Sequence, residues 1–358
     1  SRRIRKGRPR DGHRKGHGLS PMRILVIGQG LAGTLVSHFG LQRGWDVHVI
    51  DAGLPSASSV AAGMFNPMSF RRVVEVWEAE QHLSVMRQTV QDLEAITGSK
   101  LLYELPIHKR IPNSDYASLW KDKSHQLQWL ETQPQPWPTE GVVEGGGWVN
   151  LPLLLDLWRK RLATEKRFEQ RPFQDDDMQG LKAGSWNAVI DCRGIHAGLA
   201  NDLPNLDIRS NRGELLTIQC TTASDAPPES HILNFGKWTI PTALGEWRLG
   251  ASYEWNQTDL DPTEETQNFL LSSLSAAVSG LGPIEVVDHL VGLRPVSRDR
   301  RPAAGPYPGI PGWFVLNGLG TRGVLIGPRW AQHLMRIISK ASRQPPETHP
   351  SRLILRTP

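Results

Sequence analysis

The strongest constraint on the fold is a glycine triplet, Gly28-x-Gly30-x-x-Gly33, standing between the apolar run at residues 23–27 (RILVI) and a helix-forming stretch, TLVSHFGLQ. A second apolar run, VHVID, follows and ends on Asp51. In this setting each glycine has a separate task. Gly28 permits a tight turn, Gly30 lets the backbone approach a pyrophosphate, and Gly33 lets helix and strand pack closely, while Leu31 and Ala32 open a helix whose free N–H groups face the phosphates. Asp51, at the end of the second strand, is placed to accept from a ribose hydroxyl. Strand, turn, helix and acid together predict the opening βαβ unit of a parallel sheet carrying a dinucleotide; the glycines alone predict no more than a turn.

The rest of the chain extends this layer and adds a second one. Leu83, Met86, Val90 and Leu93 fall at three- and four-residue spacing and predict a helix within residues 74–97, ended by Gly98. Residues 112–140 are polar and rich in Pro and Trp, as surface connections around a short helix would be. Leu154, Leu155 and Trp158 mark another helix, and AVID at 188–191 another buried strand, turning at CRG. GELLTIQ, WRLGASY and EVVDHLVGLRP, separated by Pro, Gly and Asn, suit an antiparallel sheet distinct from the first. WFVLN at 313–317 then leads through GLGTRG into a helical pattern at 324–339, returning the chain to the parallel layer. The expected fold is α/β: a Rossmann-type domain from residues 22–75, 143–200 and 295–342, with an interleaved antiparallel-sheet substrate domain from 76–142 and 201–294. Residues 1–21 and 343–358 are read as tails.

Composition excludes several functions. The total charge is +5, but residues 1–21 hold eight Lys and Arg against one Asp, a net of +7, which leaves −2 for the remainder. That tail has charge, Gly and Pro without an apolar period, and is expected to be disordered. It reads as an RNA- or anion-binding arm, as a solvated leader, or as an extension upstream of a start at Met22. No apolar run is long enough to span a bilayer, and no apolar segment follows the basic residues as in a secretory signal. Two cysteines, Cys192 and Cys220, make no disulfide framework, so a reducing cytoplasm is the expected location. No metal is expected: His48, His108 and His289 lie singly in strand-like runs, and the His13/His17 pair lies in the tail. There is no G-x-S-x-G elbow for Ser/His hydrolysis.

Shortly after Asp51 comes SASSVAAGMFNP, then GGWVNLPLL, VIDCRG, NRGELLTI, WTIPTALGEWRLGASYEW, GLRPVSRDRRPAAG and LNGLGTRGVLIGP. In content and order this series resembles the D-amino-acid oxidase and glycine oxidase superfamily. GASY, R-x-x-S-R-D and G-T-R-G are closest in style to the oxidase half of the bacterial enzyme that builds methylaminomethyl-uridine in tRNA. The resemblance implies a non-covalent FAD, since neither cysteine stands where sarcosine oxidases attach theirs. It places Ala62, Gly63 and Met64 against the flavin, makes Cys192 and Gly194 part of a second cofactor-contacting turn, and sets Gly318, Gly320, Thr321, Gly323 and Val324 near the flavin pyrimidine. The second GxGxxG, at 318–323, is accordingly not a second dinucleotide site; only 35 residues follow it. Arg294 and Arg322 match the arginines that hold the substrate carboxylate, the alternative being a structural arginine paired with an acid such as Asp299. Trp238 stands where glycine oxidases carry a tyrosine, and Tyr253 offers a phenol from the neighbouring strand. The implied reaction is oxidation of the C–N bond of a small amine or amino acid by hydride transfer to flavin, with hydrolysis of the imine and reoxidation by O2 or another acceptor. The alternatives are oxidation of carboxymethylaminomethyl-uridine in tRNA, which the basic tail favours, and a non-catalytic flavoprotein.

Overall fold

The structure is a computed structural model that describes residues 21–131, 140–199, 206–220, 227, 229–255 and 257–354. The basic residues 1–20 lie outside the described residues. A six-stranded sheet is ordered Phe168–Gln170, Asp46–Asp51, Arg23–Ile27, Ala188–Asp191, Trp313–Asn317, Ala303–Pro306, and all neighbours are parallel except the last pair. Its central strands are apolar throughout because both faces are covered. Alternate side chains serve separate cores. Ile24, Val26, Val47, Val49 and Ile190 pack with helices Leu31–Gln42, Leu151–Thr164 and Gly323–Ile338, whereas Leu25, Ile27, Ile50, Val189 and Val315 pack on the other side with Phe173, Met178, Trp186 and Leu353.

The helix expected within 74–97 runs over Ala79–Thr97, with Gly98 as its left-handed cap; Val74–Glu75 instead pairs with Met68–Ser69. Its apolar face, Leu83, Met86, Val90 and Leu93, joins the core of the parallel layer. Periodicity showed which face is buried, not which layer buries it.

The second layer is an eight-stranded, mostly antiparallel sheet. Its order is Glu254–Trp255, Ile208–Cys220, Glu246–Gly250, Trp238–Ala243, Ile232–Asn234, Ile107–Arg110, Glu140–Val143, with Ile284–Ser297 on the other flank of Ile208–Cys220. The last pairing sets Arg294 opposite Asn211 and Gly292 opposite Gly213. A bridge from Val296 to Leu319 ties this long strand to the turn that follows Trp313–Asn317. Arg294 is thereby carried toward the glycine turns of the parallel layer.

Candidate active site

A cavity of about 650 Å3 lies between the two layers, and the first glycine turn forms one end of it. Gly28, at φ +94°, passes so close to the next strand that a Cβ would sit 2.7 Å from the Cys192 carbonyl oxygen. A Cβ on Gly33 would lie 1.8 Å from the Gly28 carbonyl oxygen. At Gly30 the nearest atom to a Cβ is the Ser58 hydroxyl at 3.3 Å, and that hydroxyl accepts from the Leu31 N–H at 3.0 Å at the start of the helix. Gly28, Gly30, Leu31 and Ala32 line the cavity; Gly33 lies behind them, where it serves packing. Asp51 also faces the cavity, its two oxygens accepting from the Gln29 and Gly53 N–H groups at 2.5 and 2.7 Å. The acid therefore holds the turn as well as facing the space beside it.

The wall continues through Ala62, Gly63 and Met64. Gly63, at φ +76°, packs against the Val149 carbonyl oxygen, which a Cβ would approach to 1.9 Å. From the end of Ala188–Asp191 come Cys192 and Gly194. Burial, with Asp191 adding to it, pushes the Cys192 thiol well up, so it is a poor candidate for nucleophilic attachment. Opposite, Gly320, Thr321, Gly323 and Val324 face the cavity, whereas Gly318 does not. Its N–H donates to the Asn317 side chain at 2.7 Å and its α-carbon packs on Ser297, which holds the turn beside the cavity.

Arg294, Arg322, Trp238 and Tyr253 all line this cavity. The Arg294 Nη1 donates to Asn211 Oδ1 at 3.0 Å, to the Ser252 carbonyl at 3.3 Å and to the Arg212 carbonyl at 3.4 Å. Its guanidinium lies on Gly213, where a Cβ would come within 2.1 Å, and its centre stands 4.7 Å from the Tyr253 ring centroid. Burial lowers its hold on the proton, with no acid in hydrogen-bond contact among the described residues. Arg322 is exposed toward the cavity and has no hydrogen bond or ion pair among the described residues; burial and then Arg300 shift it downward too. Asp299 pairs with neither arginine: Arg352 takes that carboxylate at 2.7 Å. Trp238, 8% exposed, is an apolar wall packed with Leu215, Ile240 and Ala251. The Tyr253 ring stacks near both Arg294 and Lys237 Nζ, the latter at 5.9 Å.

Asn211, Gly213, Ser252 and Lys237 were not singled out from sequence. NRGELLTI was recognisable as a motif, yet its relation to Arg294 depends on strand register across 83 residues. The histidines read as single also acquire partners. His108 stacks on His231 with centroids 3.6 Å apart and its Nδ1 lies 2.9 Å from Glu140, which Arg110 also holds at 3.1 Å; His289 Nε2 lies 2.6 Å from Glu214. His108, Glu140 and His231, three side chains distant in sequence, offer ligand atoms within 4.8 Å of one another. Their carboxylate is already shared by two cationic or hydrogen-bonding neighbours, and none of the three lines the cavity.

No helix among the described residues is long and apolar enough to cross a membrane. Among known proteins, the chain is 23% identical to a glycine oxidase of Pseudomonas aeruginosa, over 88% of this chain and 94% of that one. It is 24% identical to the bifunctional tRNA 5-methylaminomethyl-2-thiouridine biosynthesis protein MnmC of Legionella pneumophila, over 79% of this chain and only 45% of that protein. Its fold matches crystal structures of glycine oxidase from Geobacillus kaustophilus (TM-score 0.72, 18% identity, 92% and 99% of the two chains) and iminodiacetate oxidase from Chelativorans sp. BNC1 (TM-score 0.74, 18%, 92% and 99%). The family described as DAO, FAD dependent oxidoreductase, matches residues 23–337, nearly the whole span in which the glycine turns, the two layers and the cavity are found; the chain is a member of that FAD-dependent enzyme family.

Proposed function

We propose that this flavoenzyme oxidises the C–N bond of a small amine that carries a carboxylate. The observation that carries the reading is the pair of arginines, Arg294 and Arg322, lining one cavity without an acid in contact with either among the described residues. For the partly buried Arg294 a guanidinium without a counter-ion is costly, and for both arginines a planar carboxylate matches the fork with paired charge-assisted hydrogen bonds.

The residues present fit FAD. The close-packed Gly28 and Gly33 leave the backbone at Gly30 open for a pyrophosphate, and Asp51 stands at the ribose position. Ala62 to Met64 and Gly320 to Val324 flank the space for the ring, and the N-terminus of helix Gly323–Ile338 favours negative charge there. FAD, when bound, supplies the acceptor for the hydride equivalent leaving the carbon beside nitrogen. Arg294 and Arg322 orient the substrate through its carboxylate, and Trp238 keeps water from one side of the reacting carbon. The amine reacts deprotonated, so no dedicated base is assigned. The imine product is hydrolysed, and O2 or another acceptor regenerates the oxidised cofactor. Trp238 donates one hydrogen bond and accepts none, unlike the tyrosine of the glycine oxidases, so an N-substituted glycine suits the site better than glycine itself.

The test is an anaerobic absorbance titration of the flavin-loaded protein with glycine, sarcosine, iminodiacetate, D-proline and carboxymethylaminomethyl-uridine, alongside methylamine and dimethylamine. Bleaching by a carboxylate-bearing amine and not by the plain amines is the expected result. A bound flavin that none of them reduces, or that all reduce alike, overturns the reading.

A further inference from the structure

Strand Ile208–Cys220 contains an arginine and a glutamate two residues apart, Arg212 and Glu214, both with fully buried side chains. Two-residue spacing puts them on one face of the strand, and burying charges is unfavourable unless hydrogen bonds satisfy them. Here they are satisfied by the connection that leads from Gly250 to helix Glu264–Ala277. Arg212 Nη1 donates to Glu214 Oε1 at 2.6 Å and to Glu254 Oε2 at 2.8 Å. Its Nε reaches the Asp259 carbonyl at 3.1 Å and carboxylate at 3.2 Å, and its Nη2 donates to the Asp261 carbonyl. Glu214 accepts from the Thr263 N–H and hydroxyl, each at 2.9 Å, and its own N–H donates to the Ser252 hydroxyl at 3.0 Å. Ser252 in turn donates to Glu254 at 2.8 Å. Burial works to raise the Glu214 carboxyl, and Thr263 and Arg212 outweigh it, so both charges persist.

On the cavity side, the same residues make the seat of Arg294. Its Nη1 is held by Asn211, by the Arg212 carbonyl and by the Ser252 carbonyl, its face rests on Gly213, and the Tyr253 ring covers it. One half of that seat belongs to the strand and the other to the connection, and Arg212 joins the two. Among the described residues, Nε and Nη2 of Arg294 have no partner, which leaves that edge for a ligand.

We propose that Arg212 is a positioning residue: by tying the connection to the strand it fixes the seat of Arg294 and aims the free guanidinium edge at the substrate carboxylate. This rests on the proposed role of Arg294. The variant to examine is Arg212→Lys, which keeps the charge and loses the fork. In the flavin-loaded enzyme it is expected to raise KM for the best carboxylate-bearing amine about tenfold, with kcat within about twofold. The Kd of acetate, read from perturbation of the flavin spectrum, is expected to rise by a similar factor while flavin content holds. A fall in melting temperature with KM and acetate Kd unchanged overturns the proposal, because a merely structural arginine predicts that result. Should Arg212→Lys not fold, Glu254→Gln and Asp259→Asn each remove one solvent-facing arm of the network, and each is expected to raise KM and acetate Kd about threefold; no change in either overturns the proposal. Arg294→Ala separates the two readings. If it leaves KM and acetate Kd unchanged, the proposed function fails and the positioning role with it; if it raises both and the Arg212, Glu254 and Asp259 variants do not, only the positioning role fails.

Discussion

The molecule contains two glycine turns of identical spacing, at 28–33 and 318–323, that face one cavity and are built for different work. In the first, the glycines are required by backbone proximity: a Cβ on Gly33 would collide with the Gly28 carbonyl oxygen at 1.8 Å. In the second, the atoms nearest a Cβ on Gly323 are side-chain atoms of Leu31 and Leu319, at 3.3 Å. A 3-10 turn, Gly320–Arg322, separates that strand from its helix, and the residue capping the helix is the cation Arg322. The first helix starts with backbone N–H groups and an acid beside them, the arrangement for a phosphate and a ribose. The second starts with a positive side chain, which the helix dipole disfavours and which the carboxylate proposed to bind there would compensate. Spacing alone does not separate the two; what each Cβ would touch does.

The largest effect that sharpens this contrast is Gly33→Ala against Gly323→Ala. The first forces backbone apart and is expected to cost several kcal/mol, on the order of 3 or more, with loss of flavin; the second needs only side-chain adjustment and is expected to cost about 1 kcal/mol or less. Flavin content and thermal melts decide it, and equal damage at both positions would erase the distinction.

Next in size is a pH response, because an unpartnered histidine stands behind each turn. His38 lies on the helix of the first turn, and His82 lies on Ala79–Thr97, which packs on the helix of the second. His38 is pushed down to about 4, by burial and then against the pull of Asp92, with Arg161 adding to the shift. His82 is likewise pushed down to about 4, by burial and Arg329, with Glu78 opposing and Arg301 adding. A base held below its unfolded value binds its proton more readily in the unfolded chain. Its stability contribution is therefore present above the ordinary value of 6.5 and lost as pH falls toward 4. Between pH 7 and pH 5 the loss is about 2 kcal/mol per histidine. Denaturant melts across that range are expected to show it, and His82→Leu is expected to lower the slope by the share of one histidine among the several that burial shifts down; an unchanged slope would mean that water or a partner reaches the ring.

Below these comes ligand affinity. Arg294→Ala is expected to raise KM for the carboxylate-bearing substrate at least about tenfold, about 1.4 kcal/mol or more, with flavin retained. Loss of flavin along with KM would place Arg294 in the scaffold of the cofactor turn and not in a substrate seat.

How much of this was legible follows the distance over which each feature is determined. The first turn is a local matter: strand, glycines, helix and Asp51 lie within about 30 residues, and their geometry follows from steric rules that hold for any chain. The two-layer architecture was legible from alternating apolar runs and turn residues. The seat of Arg294 was not, since Asn211 meets it through an antiparallel register fixed by the whole length of two strands. The buried Arg212–Glu214 pair was hidden for the same reason, a charged i, i+2 pair reading as the solvent face of a strand. Helix Ala79–Thr97 showed its apolar stripe plainly and its packing partner not at all, because a stripe carries no label for the core it joins.

The smallest expected effect bears most directly on why the second turn departs from the first. Arg322 caps helix Gly323–Ile338 without a side-chain hydrogen bond and stands near a second cation, Arg300. Both circumstances oppose stability: the N-terminus of a helix favours an anion or a hydroxyl acceptor, and like charges repel. A residue kept there for the fold would not be an arginine. Arg322→Ser supplies a cap and removes the repulsion, so it is expected to stabilise the protein by about 0.5–1 kcal/mol, read as a small rise in melting temperature, while weakening binding of the carboxylate. Opposite signs in the two measurements would mark Arg322 as held in place by its ligand. A fall in melting temperature would instead make it a structural cap, and the two glycine turns would then differ less than their surroundings indicate.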